Sequence, residues 1–214
     1  MKKTLVMIGI LLLMTGCTDK NFSQAYNKMK VSSKGINGYT LDLRIYGING
    51  STKVNEIIRV ENEKATNFKI TKINPADRRT ETKTTEEIAY IMGHKSYLIN
   101  AEGKAVLTTE RVIYANPAVY LEGLKTATKV GKSTTEKIGL NTYTVYTFKV
   151  TKKVMTTILK DTILSAMKIT DEVTGILYID AAGYVYRITY TIDKITVNAS
   201  YFGIDSAREI ILPN

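Results

Sequence analysis

Hydrophobic positions in this chain first run together, then alternate, and then alternate again around two helical windows. Residues 5–14 form an apolar run interrupted only by Gly9, with Lys2 and Lys3 ahead of it and the small pair Thr15-Gly16 behind. The run is too short to span a bilayer comfortably and has the charged, apolar and small-residue regions of a secretory signal. Residues 18–34 are polar and read as a tether with one short helix. In it Ser23 is the expected N-cap, Phe22 a hydrophobic staple, and Tyr26 and Met29 share a face. From Gly35 the period becomes two. Tyr39, Leu41, Leu43 and Ile45 alternate with Thr40, Asp42, Arg44 and Tyr46, between two Gly-Ile-Asn-Gly segments at 35–38 and 47–50. Asn-Gly tolerates the positive φ of hairpin turns, so this is a strand with one buried face, flanked by turns. The glycines do not form a phosphate-cradling loop, because their spacing is not GxGxxG and no helix follows.

Strands are expected at 53–61 and 66–73, then, after a polar connection at 74–79, at 80–85. Residues 87–92 and 96–100 flank Gly93-His94-Lys95 as a hairpin, and Glu102-Gly103 starts another turn. Two helices follow. Asn116-Pro117 is an N-cap with proline at the first helical position, and Tyr120, Leu121, Leu124 and Ala127 recur at helical spacing. After a strand at 142–150, Thr151 caps a helix over 152–167, whose stripe is Val154, Met155, Ile158, Leu159, Ile163, Ala166 and Met167. Strands at 176–180 and 184–192 form a hairpin around Ala181-Ala182-Gly183. Tyr184, Tyr186, Ile188, Tyr190 and Ile192 are expected on one face; Arg187, Thr189 and Thr191 on the other. Strands at 195–202 and 208–212 complete the chain. One apolar sheet face and two amphipathic helices predict an α+β, mainly antiparallel fold in which helices cover the sheet.

Composition limits what such a fold can be. With 44% hydrophobic and 23% charged residues, the 214-residue chain has the balance of a folded domain. The single cysteine, Cys17, cannot pair within the chain, so packing alone must supply stability in an exported protein. The formal charge is +10, and removal of Lys2 and Lys3 leaves +8. A positive surface outside the cytoplasm suits anionic lipid or a wall polymer, and nucleic acid is a poor partner there.

Catalytic patterns are weak. His94, the one histidine, falls in a turn, and the cysteine and carboxylates have no zinc-site spacing. No GxSxG is present. Ser165-Ala-Met-Lys168 matches SxxK, but neither SDN nor KTG accompanies it. Glu86 and Glu87 are adjacent, so in a strand they point to opposite faces and cannot act as a pair. The expectation is a non-enzymatic protein without metal or cofactor.

The stretch Met14-Thr15-Gly16-Cys17 resembles a bacterial lipobox, with Met14 where the family usually has Leu. The resemblance implies cleavage before Cys17 and acylation of that cysteine. Residues 1–16 would then be the signal peptide, 17–34 the lipid anchor, tether and short helix, and 35–214 a single domain. The protein would sit outside the cytoplasm, anchored to the cell membrane, or to an outer membrane where the cell has one. Residues 39–46, 91–99, 116–124, 137–145 and 176–213, the last ending in Tyr201-Phe-Gly-Ile and Ile210-Ile-Leu-Pro, resemble the LolA/LolB-like superfamily of envelope lipoproteins. That similarity implies a half-barrel wrapped over two or three helices, with an apolar cavity that in relatives holds acyl chains. By this reading the cavity lies between the C-terminal sheet and the helix after Thr151, lined by Tyr184, Tyr186, Ile188, Tyr190, Met155, Ile158 and Leu159. The alternative is an envelope interaction or sensor module that binds no lipid.

Overall fold

The computed structural model describes residues 20–32, 34–64, 66–74, 84–109, 116–206 and 208–214. The signal run, Cys17 and most of the expected connection and strand over 74–85 lie outside the described residues. The elements in chain order are α1 (Lys20–Lys28), β1 (Gly38–Asn49), β2 (Thr52–Glu63), β3 (Asn67–Asn74), β4 (Thr85–Met92), β5 (Lys95–Ile99), β6 (Ala105–Thr108), α2 (Pro117–Lys125), β7 (Lys129–Val130), β8 (Thr134–Ile138), β9 (Asn141–Val150), α3 (Lys152–Leu159), β10 (Val173–Ile179), β11 (Val185–Ile192) and β12 (Ile195–Phe202). All twelve strands join one antiparallel sheet in the order β6-β5-β4-β3-β2-β1-β12-β11-β10-β9, with β7 and β8 paired in succession along β9. β1 sits at the centre because its two edges pair with β2 over its full length and with β12 over eight residues.

Alternation puts one apolar set on the inner face. Leu41, Leu43 and Ile45 are fully buried there with Val197, Ala199, Ile188, Tyr190, Leu177, Tyr146 and Phe148. The three helices cover this face, with α2 packed against both α1 and α3. Phe22 of α1 meets Tyr146 and Phe148 edge-on, with centroids 5.6 and 5.5 Å apart. α2 is tied down by two phenols: Tyr190 donates to the Tyr120 carbonyl at 2.7 Å and Tyr201 to that of Pro117 at 2.9 Å. Gly123 makes that approach possible, since a Cβ there would lie 2.2 Å from the Tyr190 hydroxyl.

Local chemistry corrects the sequence reading at several places. α1 begins at Lys20, so Ser23 is inside the helix, donating to the Lys20 carbonyl, and Phe22 is a core residue rather than a staple before the cap. Asn116 and Thr151 do cap α2 and α3, accepting from Ala118 N and Val154 N. α3, however, stops at Leu159. The buried Thr162 hydroxyl donates to the Leu159 carbonyl and accepts from Leu164 N, turning the chain where the apolar stripe would have carried the helix to Met167. Ile163 is left half-exposed and Leu164 is buried instead.

The expected strand over 208–212 does not form. Asp205 N donates to Gly38 O, Ile210 N to the Glu63 carboxylate at 3.0 Å, and Ala105 N to Pro213 O. The tail therefore crosses from β12 past the ends of β1 and β2 to the free edge at β6, and a segment crossing strands cannot extend their ladder. The short strands β6, β7 and β8 were not legible in the hydropathy pattern, being mostly exposed and too short to alternate.

Candidate functional site

A cavity of about 400 Å³ opens between the helices and the first half of the sheet. Its walls are Tyr26, Met29 and Val31 from α1 and the following turn, Tyr39, Phe68 and Ile91 from β1, β3 and β4, and Leu121 from α2. The volume falls within the roughly 300–1,000 Å³ of small-molecule sites. Polar groups gather around it: Asn62 on β2, Thr66 and Gly93 at the strand turns, Asn116 at the start of α2, and the exposed Lys30. The N-terminus of α2 brings a partial positive charge to the same rim as the Lys30 ammonium. Burial of Tyr39 pushes its phenol far up, so it stays protonated. One wall is latched. Tyr26 donates to Glu122 at 2.9 Å, a bond that raises the Tyr26 pKa, and Lys125 lies 5.8 Å from the Tyr26 ring.

The residues expected to line a cavity are placed differently. Ile188, Tyr190, Met155, Ile158 and Leu159 come together under the C-terminal sheet, but as a packed core in which each is almost completely buried. None of them lines the cavity just described. Tyr184 packs at the edge of that core. Tyr186 is on the opposite face. Tyr178 pairs with Arg187 and Ile179 with Val185, so Tyr186 is the extra residue of a β-bulge, and a bulge re-aims the side chain it carries. There it stacks on Tyr143, centroids 4.3 Å apart, beside Arg187, whose guanidinium covers the Tyr178 ring at 4.2 Å. Tyr184 and Tyr186 both line a separate surface cleft with Tyr143 and Phe202.

Two solved structures match this arrangement across nearly the whole chain. LprF from Mycobacterium bovis aligns over 90% of this chain and 96% of its own, with a TM-score of 0.59 and 13% identity. Lipoprotein LppX from Mycobacterium tuberculosis aligns over 92% and 100%, with a TM-score of 0.54 and 10% identity. The fold is a LolA-like half-barrel. A LolA superfamily protein from Nitrosomonas europaea also aligns, over 89% of this chain and 93% of its own, at 9% identity and a TM-score of 0.35. No protein-family model matches the sequence, and no curated protein is similar to it in sequence.

Other candidate chemistry is dispersed. His94 lies exposed in the β4–β5 turn, and Ser165 and Lys168 are exposed in the turns after α3. No group of three or more His, Cys, Asp or Glu side chains able to hold a metal occurs among the described residues. The cavity wall at Phe68, Ile91 and Leu121 was missed by sequence reasoning. Each belongs to an element that was predicted, but their meeting depends on α2 crossing over β1–β4, which no local pattern encodes.

Proposed function

We propose that this protein is an acylated lipoprotein, held outside the cytoplasm through Cys17, that binds an acyl chain between α1, α2 and strands β1–β4. The observation that carries the reading is the 400 Å³ cavity with an apolar body and polar groups around it. Tail burial against Met29, Phe68, Ile91 and Leu121 would supply affinity, at about 25 cal/mol per Å² of apolar surface removed from water. Met29 adapts to ligands of varied shape. Asn62, Asn116 and Lys30 suit a polar or anionic headgroup. The lipobox-like segment and the LolA-like fold support the same function from independent parts of the chain, and an anchored domain from residue 35 onward is the corresponding organisation.

The alternative of an interaction module without lipid draws on one feature, the filled space under β9–β12. That packing favours the other half of the concavity as the place for a ligand. To test the reading, protein purified from its native membrane would be extracted with organic solvent and examined by mass spectrometry, with a fluorescent fatty acid titrated in parallel. Co-purifying lipid and saturable probe binding are expected, and Ile91→Trp should abolish the binding while leaving the circular dichroism unchanged. A folded protein with neither lipid nor saturable binding would leave the interaction module as the function.

A further inference from the structure

The end of the half-barrel opposite the cavity carries an apolar and basic surface of its own. β1 and β2 continue past the last β1–β12 pair at Gly47 into a hairpin tip. Gly47 has φ 142°, and a Cβ there would lie 2.1 Å from the Lys194 carbonyl; Ile48 N donates to that same carbonyl at 3.2 Å. The tip is thus fixed against the β11–β12 turn. Tyr46 and Ile48 share its outer face and are 45% and 50% exposed. Lys53 stands directly across from Ile48, Arg44 is two residues before Tyr46, and Lys194 is on the adjoining turn, all exposed. Ile163, another half-exposed apolar side chain, joins this end, where its N–H meets Glu56, the residue paired with Ile45. The acidic side chains nearby are Glu56, Asp193 on the turn and Asp161 before Ile163.

The direction of α1 says what this surface meets. Phe22 packs on Phe148, which is level with Ile45 through the pairs Phe148–Gly175, Gly175–Tyr190, Tyr190–Val197 and Val197–Ile45. Met29, at the other end of α1, lies at the cavity with Tyr39. The helix therefore runs antiparallel to β1, and its first residue points toward the hairpin tip. Cys17 precedes Lys20 by three residues, which reach about 10 Å at most.

We propose that this end is a membrane-docking surface, with Tyr46 and Ile48 entering the interfacial region and Arg44, Lys53 and Lys194 meeting anionic lipid headgroups. Aromatic and aliphatic side chains among basic ones have this affinity for bilayer interfaces. The choice of a membrane over other partners rests on the anchored reading of Cys17. Docking would orient the cavity away from the anchoring membrane, since Tyr39 and Ile48 are nine strand residues, about 30 Å, apart.

The chain contains no tryptophan, so one indole reports its surroundings without ambiguity. Full-length Ile48→Trp and Leu140→Trp would be mixed with phosphatidylcholine vesicles with and without phosphatidylglycerol. Leu140 is 96% exposed but lies in the β8–β9 turn at the cavity end. We expect a blue shift and quenching by brominated lipid for Ile48→Trp on anionic vesicles, with neither for Leu140→Trp. Double reversal, Lys53→Glu with Lys194→Glu, should abolish the blue shift and the quenching of Ile48→Trp on anionic vesicles. No shift at position 48, an equal shift at 140, or indifference to anionic lipid would overturn the proposal. Failure of the anchor would show separately, as absence of fatty-acid label on Cys17.

Discussion

Two buried phenols of the sheet hold α2, and a third, on α2 itself, has no such role. Tyr190 and Tyr201 donate to carbonyls of α2, whereas the Tyr120 hydroxyl is buried without a hydrogen-bond partner among the described residues. Burial raises the pKa of all three, so they stay neutral. Tyr190→Phe should cost about 1 kcal/mol, the net worth of a typical buried hydrogen bond. Tyr120→Phe should be neutral or stabilising, because it removes an unmet polar group. Denaturant midpoints of the two variants would check this, and equal losses would show that the Tyr120 hydroxyl has a partner after all. Glu56 is the other costly group. Desolvation raises its pKa, only partly offset by Ile163 N–H and Lys72. A carboxyl raised in the folded state favours folding while protonated, and that contribution is lost as pH rises through the folded value. Glu56→Gln should therefore raise the melting temperature at pH 7 and lose that advantage near pH 4, below the ordinary glutamate range of about 4.3. A gain independent of pH would assign the effect to something other than ionisation.

Elements were legible wherever one face alone decided them. β1, β2, β12 and β11 from Ile188 onward follow period-two burial, and the α2 and α3 caps are short-range chemistry, so each could be read from a few consecutive residues. Failures came where a local polar side chain or a partner distant in sequence overrode the pattern. Thr162 ended α3 against its own hydrophobic stripe; the polar pair Asp161-Thr162 was the available signal, since short side chains compete with the helix for backbone hydrogen bonds. The bulge at Tyr186 reversed an alternation that looked continuous, because an extra residue in one strand leaves no mark on that strand's own hydropathy. The C-terminal segment read as a strand because Ile210, Ile211 and Leu212 are β-formers, yet it works as a strap. The hydrogen bond that Ile210 N–H donates holds the Glu63 carboxyl below the usual range, and the Pro213 carbonyl accepts from Ala105 N on an edge where Leu98, Val106 and Leu107 are exposed. Deleting residues 208–214 should uncover that edge and promote self-association, since unpaired strand edges template further pairing. Sedimentation velocity would measure it, and an unchanged monomer would mean the edge is protected by other means.

At the scale of the molecule the half-barrel is unevenly filled, and the cavity follows from that. β9–β12 are backed by α1, α2 and α3 with fully buried Tyr146, Phe148, Ile188 and Tyr190, while β4–β6 contribute mostly half-exposed side chains. That asymmetry was not readable beforehand. The richest aromatic strand, β11, suggested a pocket, but Tyr190 reaches the Tyr120 carbonyl and fills that space, while Tyr186 stacks on Tyr143 across the sheet. The thinner half, between β1–β4 and the start of α2, keeps room for a ligand because α3 does not reach it. Local stability should follow the same division, since opening free energy falls where few buried contacts hold a region. Hydrogen exchange is expected to be slowest in β10–β12 and β1 and fastest in β4–β6. Adding a saturating fatty acid should then slow exchange in β3, β4 and the first turn of α2, which border the cavity, and leave β10–β11 unchanged. A ligand that binds only the folded state adds RT ln(1 + [L]/Kd), about 2.7 kcal/mol at a hundredfold excess over Kd, so the effect is large enough to read. Protection appearing instead in β10 and β11 would return the ligand to the space between the C-terminal sheet and α3, displacing side chains that are packed there in its absence.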